Sequence, residues 1–212
     1  MKKIDKNKIL FLWLSDKEFH AQQALKRGVA VEQVFKDISN VLKALRRLCI
    51  KFPIFSVLPW LNTSWVKRLE NYETVIIHAS KLTPPVVKYI LKKYPDMRVI
   101  VWYWNPVIKT VGLECFLNLD CEIWTFDEED AENFDINYNT QYYFENVAIE
   151  KRNTQYDVFF VGGDKGRLEY LLEVKRLLSS YNIKAFFNIT NTAKVKIKND
   201  IYQPRINYNV VI

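Results

Sequence analysis

Residues 156–180, YDVFFVGGDKGRLEYLLEVKRLLSS, predict a strand, a glycine turn and a helix in succession. Residues 157–161 form a largely apolar run of β-branched and aromatic side chains, which is typical of a strand buried in a parallel sheet. Gly162 and Gly163 follow directly and supply the backbone freedom that a tight turn needs. From Leu168 onward, apolar residues recur at helical spacing. This succession is the repeating unit of an α/β fold.

The glycine turn is a candidate anion site. A helix N-terminus presents backbone N–H groups that no helical carbonyl accepts, and phosphate binds there in many α/β folds. The spacing here is G-G-x-x-G, whereas the dinucleotide-binding pattern is G-x-G-x-x-G. Gly163 and Gly166 match the last two glycines of that pattern, but Val161 stands where the first would be. Phosphate binding and an ordinary βα turn therefore both stay open.

The chain before this stretch alternates strand-like and helix-like segments, which predicts a Rossmann-like, doubly wound parallel sheet. Buried strands are predicted at residues 9–14, 74–78, 97–104 and 122–126. Helices are predicted from near residue 21 and at residues 31–48, 65–69 and 83–93, with a loop at 134–142. After a polar linker at 150–155 the pattern restarts, so we expect one Rossmann-like domain at residues 1–153. Residues 154–212 are then the start of a second Rossmann-like domain, incomplete because only one further strand, at 183–189, is evident.

Composition limits the class of protein and of partner. The 212 residues carry a formal net charge of +7, which favours an anionic partner such as nucleic acid, a phospholipid surface or a phosphorylated small molecule. Nucleic acid is disfavoured because the chain has no nucleic-acid-binding motif. The three cysteines are widely spaced, and we expect buried thiols of a reducing compartment, with no metal site. We expect a cytoplasmic protein, because there is neither a signal peptide nor an apolar run of about 20 residues.

Three candidate catalytic residues follow predicted strands, at the sheet edge where α/β proteins bind ligands. Asp16 and His20 come after the first strand, and Asp127 opens an acidic run after the strand at 122–126. A carboxylate or an imidazole at such a point can act as a general base toward a hydroxyl. The alternatives stay open: His20 as a surface or capping residue, and Asp127 as part of an exposed helix N-terminus, where acids are favoured.

Other polar and aromatic residues suggest contacts with a sugar or with a membrane. Trp104 and Asn105 follow a strand, and the indole of Trp104 is a candidate stacking platform for a sugar ring, with core packing as its alternative. His78 closes another strand. A basic helix face is predicted to contact an anionic membrane, where each cation contributes about 1 kcal/mol, or else to be solvated. Its members are Lys36, Lys43, Arg46 and Arg47.

Three strings carry a family resemblance: FDEEDA at 126–131, NYNTQYY at 137–143 and YDVFFVGGDKGR at 156–167. Together they resemble bacterial glycosyltransferase-type proteins of capsule and lipopolysaccharide gene clusters. The resemblance implies the GT-B architecture, in which two Rossmann-like halves face a cleft. The N-terminal half would hold the acceptor and the C-terminal half the nucleotide-sugar. The turn at Gly162 and Gly163 would then lie near the donor diphosphate, with Lys165 and Arg167 as its charge partners.

The function implied by the resemblance is synthesis of surface polysaccharide. A sugar would pass from a nucleotide-sugar, a substrate and not a cofactor, to a saccharide or a lipid-linked acceptor, on a cytoplasmic protein or one peripheral at the inner face of the membrane. Family members continue into strands that complete the donor site. The alternative is therefore a catalytically inactive, truncated relative that acts as a binding or partner-dependent module. A flavodoxin-like or response-regulator-like module is disfavoured by the restart near residue 153.

Overall fold

Parallel strands connected by helices make up the computed structural model, which describes residues 5–14, 19–52, 56–140, 155–163 and 165–190. The strands are β1 (Ile9–Trp13), β2 (Ala30–Gln33), β3 (Thr74–His78), β4 (Arg98–Tyr103), β5 (Glu122–Thr125), β6 (Asn137–Tyr138), β7 (Val158–Gly163) and β8 (Ala185–Thr190). The α-helices are α1 (Phe19–Lys26), α2 (Asn40–Lys51), α3 (Thr63–Arg68), α4 (Pro84–Lys93), α5 (Glu128–Phe134) and α6 (Leu168–Ser180). The chain divides into two compact units, Met1–Glu145 and Asn146–Ile212. The domain boundary predicted near residue 153 lies outside the described residues.

The described part of the first unit contains a six-stranded, all-parallel sheet in the order β2-β1-β3-β4-β5-β6. The α/β class and a Rossmann-like parallel sheet are therefore confirmed. The chain adds β2 on one side of β1 and then returns to add β3 on the other, so the direction of winding reverses between β1 and β3. Such a reversal leaves a crevice at the carboxyl ends of the two strands, and ligands of open α/β sheets bind there.

One face of this sheet supports the main core. Alternate residues of the central strands are buried on it, because successive side chains of a strand point to opposite faces. These residues are Leu10, Leu12, Val75, Ile77, Val99, Val101 and Tyr103. Helices α3 and α4 supply fully buried partners, among them Trp65, Val87 and Ile90. The indole N–H of Trp65 donates to the carbonyl of Val34 at 3.0 Å and so ties α3 to the end of β2.

The helix predicted at residues 31–48 is wrong in its first part, where the structure has strand β2 and a connecting segment. Residues 30–33 pair in parallel with β1, because Gly28 ends the preceding turn at φ +78° and returns the chain to the sheet edge. Helix α2 begins only at Asn40, where the hydroxyl of Ser39 accepts from the N–H of Leu42. Strand pairing therefore overrides an apolar spacing that resembles a helix.

One of the cations predicted for the outer face of helix α2 lies on its inner side instead. Arg46 is 8% exposed, and its guanidinium lies 4.2 Å from the ring centroid of Phe35. Burial, with a smaller contribution from Arg47, lowers the pKa of Arg46. The face toward solvent instead carries large apolar side chains: Val41, Leu42, Leu45, Leu48 and, just beyond the helix, Phe52.

The structure also differs from the predictions for the loop at residues 134–142 and for the burial of the cysteines. Residues 137–138, inside the predicted loop, form β6 at the sheet edge, where they pair in parallel with β5. The thiol of Cys115 is exposed, while Cys49 and Cys121 are half-buried, so the expectation of three buried thiols is wrong. None of the helices in the described residues is long and apolar enough to cross a bilayer.

The described part of the second unit is one βαβ element. Strands β7 and β8 pair in parallel from Val158 opposite Ala185 onward, and α6 connects them. Leu171, Phe187 and Ile189 are buried between the helix and the strands. The predicted glycine turn is displaced: Gly162 and Gly163 are the last residues of β7. The left-handed residues of the turn are Lys165, at φ 47°, and Gly166, at φ 79°.

Candidate functional site

An aromatic cluster lies at the carboxyl ends of β1, β3 and β4, where the winding reverses. The rings of Trp13 and His78 meet edge to face with their centroids 4.1 Å apart. The indole of Trp104 stacks on the other side of His78, at 5.6 Å and an interplanar angle of 22°. His78 and Trp104 are half-buried, while Trp13 is buried. We call Trp13, His78 and Trp104 the switch-point cluster.

The register of the sheet places these three side chains on one face. Phe11 lies opposite Ile76, so the side chains two residues further on, Trp13 and His78, extend from the same face. His78 in turn lies opposite Trp102, and Trp104 follows two residues later. The N–H of Ala79 donates to the carbonyl of Trp102 at 2.8 Å, which continues the parallel ladder past the end of β3.

The loop after β3 is held rigidly next to the cluster. The hydroxyl of Thr83 accepts from the N–H of Ser80 and donates to the Ser80 carbonyl, both at 3.0 Å. Thr83 is fully buried, and Pro84 and Pro85 begin α4 directly after it. Hydrogen bonds and two prolines therefore define the path of the polypeptide that leaves His78.

The chemistry of the cluster suits a ligand with an apolar face and hydroxyl groups. Indole rings present flat apolar surfaces with a negative π-face, on which the C–H groups of a ring can stack. Histidine is the side chain that exchanges a proton near neutral pH, and it can accept a proton from a hydroxyl. Asn105, directly after Trp104, is exposed and adds an amide donor and acceptor to this edge.

The predicted catalytic residues have different positions relative to this edge. Asp16 lies outside the described residues. His20 belongs to α1, the helix that follows β1, and its side chain is not among those that the structure describes. Asp127 follows β5, which pairs with β4, the strand that precedes Trp104, but lies three strand spacings from β1, or about 14 Å at roughly 4.8 Å each. Asp127 is therefore not brought into contact with the carboxyl end of β1.

The acidic run that starts at Asp127 has structural contacts in the described chain. The carboxylate of Asp127 accepts from the N–H of Asp130 at 3.2 Å and caps α5. The buried carboxylate of Asp130 accepts from the N–H of Val107 at 2.7 Å, which fixes the turn after β4. Glu128 accepts from the hydroxyl of Tyr138 at 3.1 Å. These bonds favour the helix-terminus interpretation of the run.

The predicted donor-side residues lie around the turn before α6. Gly162 and Gly163 pair with β8, and a Cβ on Gly162 would come within 3.1 Å of the Phe160 ring. Lys165 is exposed, and the guanidinium of Arg167 lies 5.7 Å from the Phe160 ring centroid. Among the described residues, no side chain caps the N-terminus of α6. The first N–H groups of the helix thus point into the turn that carries both cations.

The four cations predicted to form a membrane-binding face have separate environments. Lys36 donates to the carbonyl of Pro59 at 2.9 Å, and the ammonium of Lys43 lies 3.4 Å from the carboxylate of Asp37. Arg46 is buried and Arg47 is exposed. The structure therefore does not give these cations one common exposed face. In the described part of the chain, no group of three or more His, Cys, Asp and Glu side chains is arranged to hold a metal ion.

The sequence pointed to His78 and Trp104 separately, but the role of Trp13 was missed. Its signal was present: Trp13 ends the first strand, and strand ends meet at one edge of a parallel sheet. A cleft of about 330 Å³ lies at the opposite edge, where Glu73 and Met97 precede β3 and β4. Ligand sites of open α/β sheets form at the carboxyl edge, so the switch-point cluster is the stronger candidate. Comparisons with protein-family models, curated proteins and solved structures gave no match.

Proposed function

We propose that this protein is a glycosyltransferase-like protein of surface-polysaccharide synthesis, either of capsule or of lipopolysaccharide. It transfers a sugar from a nucleotide-sugar to a saccharide or a lipid-linked acceptor at the inner face of the membrane. The observation that carries the proposal is the switch-point cluster, which combines a histidine between two indoles with a rigid loop at the sheet edge where α/β proteins bind ligands.

The cluster is assigned to the acceptor. A sugar ring stacks on the exposed part of Trp104, and Asn105 hydrogen-bonds to its hydroxyl groups. His78 lies next to this position and accepts the proton of the attacking hydroxyl, a role that contributes about 10²–10⁴-fold to a rate. Asp16 and His20, which follow β1, are the further candidates for this general base, and Asp127 is a weaker one because it caps α5.

The donor is assigned to the second unit. Its βαβ element presents the N-terminus of α6, which no described side chain caps, together with the cations of Lys165 and Arg167. Backbone N–H groups and a helix dipole stabilise the negative charge of a departing diphosphate, and an arginine matches two phosphate oxygens at once. In this scheme the transfer is accelerated by positioning and by charge stabilisation, and the nucleotide-sugar is the substrate.

The test measures the binding of donor and of acceptor ligands separately. Intact protein is titrated with uridine and guanosine diphosphate sugars and, separately, with acceptor saccharides, by calorimetry. We expect Trp104→Leu to weaken acceptor binding at least tenfold with donor binding unchanged, and Lys165→Ala with Arg167→Ala to do the opposite. Trp60→Leu is the matched control, since Trp60 is also half-buried but packs against the main core. If wild-type protein binds neither class of ligand, the proposal is wrong.

The alternative is a module that binds without catalysis. Residues 191–212, which would extend the donor side, lie outside the described residues, so the incompleteness of the donor-side domain stays a prediction. The two functions separate in a transfer assay with a radiolabelled nucleotide-sugar. Formation of a glycosylated product that is lost in His78→Gln supports the transferase. Binding of acceptor with no product from any donor supports the binding module.

A further inference from the structure

Helix α2 exposes a continuous apolar stripe to solvent. Val41, Leu45 and Leu48 are 79%, 47% and 55% exposed, and their spacing of four and three residues places them along one side of the helix. Phe52, the C-cap residue of α2, follows them and is 51% exposed. Leu42, 42% exposed, widens the stripe at its start. Scattered single apolar residues are ordinary on protein surfaces, but a contiguous row of five large ones indicates contact with another apolar phase.

The orientation of α2 has an identifiable structural cause. Arg46 is held on the inner side against Phe35, and Ile50, one turn later, packs against the main core. Rotation of the helix to bury the stripe would expose Ile50 and remove Arg46 from the Phe35 ring. The apolar stripe is therefore directed outward by the same contacts that attach the helix to the sheet.

The charge around the stripe identifies the partner as anionic. Arg47 and Lys51, four residues apart, form an exposed row next to Leu48, and α2 contains no acidic residue. An apolar stripe next to a row of cations is the pattern of a helix that lies in the interface of a membrane. Anionic lipid headgroups interact with the cations, and the acyl chains receive the apolar side chains.

Two other occupants fit less well. Residues 191–212 of the same chain carry Lys194, Lys196, Lys198 and Arg205 against a single Asp200, so they would meet the cations of α2 with like charge. A second copy packed stripe to stripe would bring two Arg47–Lys51 rows together. The net charge of +7 on the whole chain adds to that repulsion.

We propose that α2 binds an anionic lipid surface by inserting Val41, Leu45, Leu48 and Phe52 among the acyl chains, with Arg47 and Lys51 at the headgroups. This contact differs from the basic face expected from the sequence, because Arg46 is buried and the apolar stripe is the main contact. It places the first unit at the membrane whether or not the protein transfers sugars.

The test is co-sedimentation of the full chain with vesicles of phosphatidylcholine containing one quarter phosphatidylglycerol. We expect Val41→Ser with Leu48→Ser to lower the partition coefficient at least tenfold, and Arg47→Glu with Lys51→Glu to do the same. The matched apolar control is Ile108→Ser with Leu117→Ser, which are 90% and 64% exposed elsewhere on the unit. The charge control is Lys88→Glu with Lys92→Glu on the exposed side of α4. Both controls should bind as wild type does.

Three outcomes would overturn the proposal. One is equal binding to vesicles of phosphatidylcholine alone, since the cations would then have no role. Another is wild-type binding by the two serine substitutions in α2. The third is a wild-type dimer in sedimentation velocity that Val41→Ser with Leu48→Ser dissociates, without binding to vesicles, which would assign the stripe to a second copy. Far-UV circular dichroism identifies any variant that has lost its fold. If the serine variant of α2 is unfolded, vesicle binding by Arg47→Glu with Lys51→Glu decides whether α2 contacts the lipid.

Discussion

Asp127 caps α5 in the structure and is also a candidate catalytic residue. Substitutions of different chemistry distinguish its structural role from a catalytic one. Its carboxylate accepts one hydrogen bond of 3.2 Å from the N–H of Asp130 and caps α5. Loss of an N-cap acceptor costs about 1 kcal/mol. Three more acids lie in the first turn of α5, so removal of one charge also relieves some repulsion and keeps the cost near that value. We expect Asp127→Ala to lower the free energy of unfolding by about 1 kcal/mol.

The isosteric variant is the sharper test. Asp127→Asn keeps an oxygen that accepts from Asp130, and Asn is as good an N-cap as Asp. We therefore expect it to unfold as wild type does, whereas Asp127→Ala should lower the melting temperature by about 2–4 °C for a chain of this size. Urea unfolding and thermal unfolding, both followed by circular dichroism and both with exposed Glu129→Ala as the control, measure the free energy of unfolding and the melting temperature.

The transfer assay for the proposed function tests whether capping is the whole role of this side chain. If Asp127 is only a cap, we expect Asp127→Asn to leave the rate of the proposed sugar transfer unchanged. A hundredfold loss of transfer in Asp127→Asn, with unchanged unfolding, would refute the structural interpretation and make Asp127 the general base. Equal stability of Asp127→Ala and wild type would show instead that the cap contributes little to the fold.

Three further predictions concern groups in the first unit. The bidentate hydrogen bonds of Arg98 at 2.6 and 3.0 Å lower the pKa of Glu122, so the ion pair stabilises the fold above the pKa of an unfolded glutamate, and this stabilisation is lost as the pH falls through the lowered value. Because both side chains are partly exposed, Glu122→Gln should cost about 0.5 kcal/mol in urea unfolding at pH 7, and this cost should shrink steadily as the solution is acidified below the pKa of an unfolded glutamate. The buried hydroxyl of Tyr103 donates to the carbonyl of Val111 at 2.9 Å, and Tyr103→Phe should lower the unfolding free energy by about 1–2 kcal/mol, measured in the same way, because that carbonyl loses its partner. Burial raises the pKa of Cys121 to about 11, so mass spectrometry should show its alkylation by iodoacetamide at pH 8 to be on the order of a hundredfold slower than in urea, and equal rates would contradict the burial.

Short-range pattern was sufficient for the class of fold. Strands β3 and β4 are largely continuous apolar runs with proline nearby. Such runs are typical of parallel strands buried on both faces, so the sequence predicts both the strands and their parallel arrangement. The βαβ element of the second unit was predictable for the same reason. The resemblance to glycosyltransferases stays a hypothesis, because it rests on strings and not on a matched family.

Tertiary structure alone decided which neighbour each segment meets. Residues 31–35 have a helical apolar spacing, yet β1 offers an open edge and Gly28 turns the chain into it, so strand pairing determines their conformation. The periodicity of α2 shows that the helix has two faces but not which is covered, and the contact between Arg46 and Phe35 decides that.

The candidate site shows the same division. Each member of the switch-point cluster is visible in the sequence as an aromatic residue at or just after a strand end. Their contact depends on the strand order β1-β3-β4, which joins residues 13, 78 and 104, because a parallel sheet brings together the carboxyl ends of strands far apart in the chain. Local composition thus determined the elements of this protein, and the order and register of its strands determined which side chains can act together.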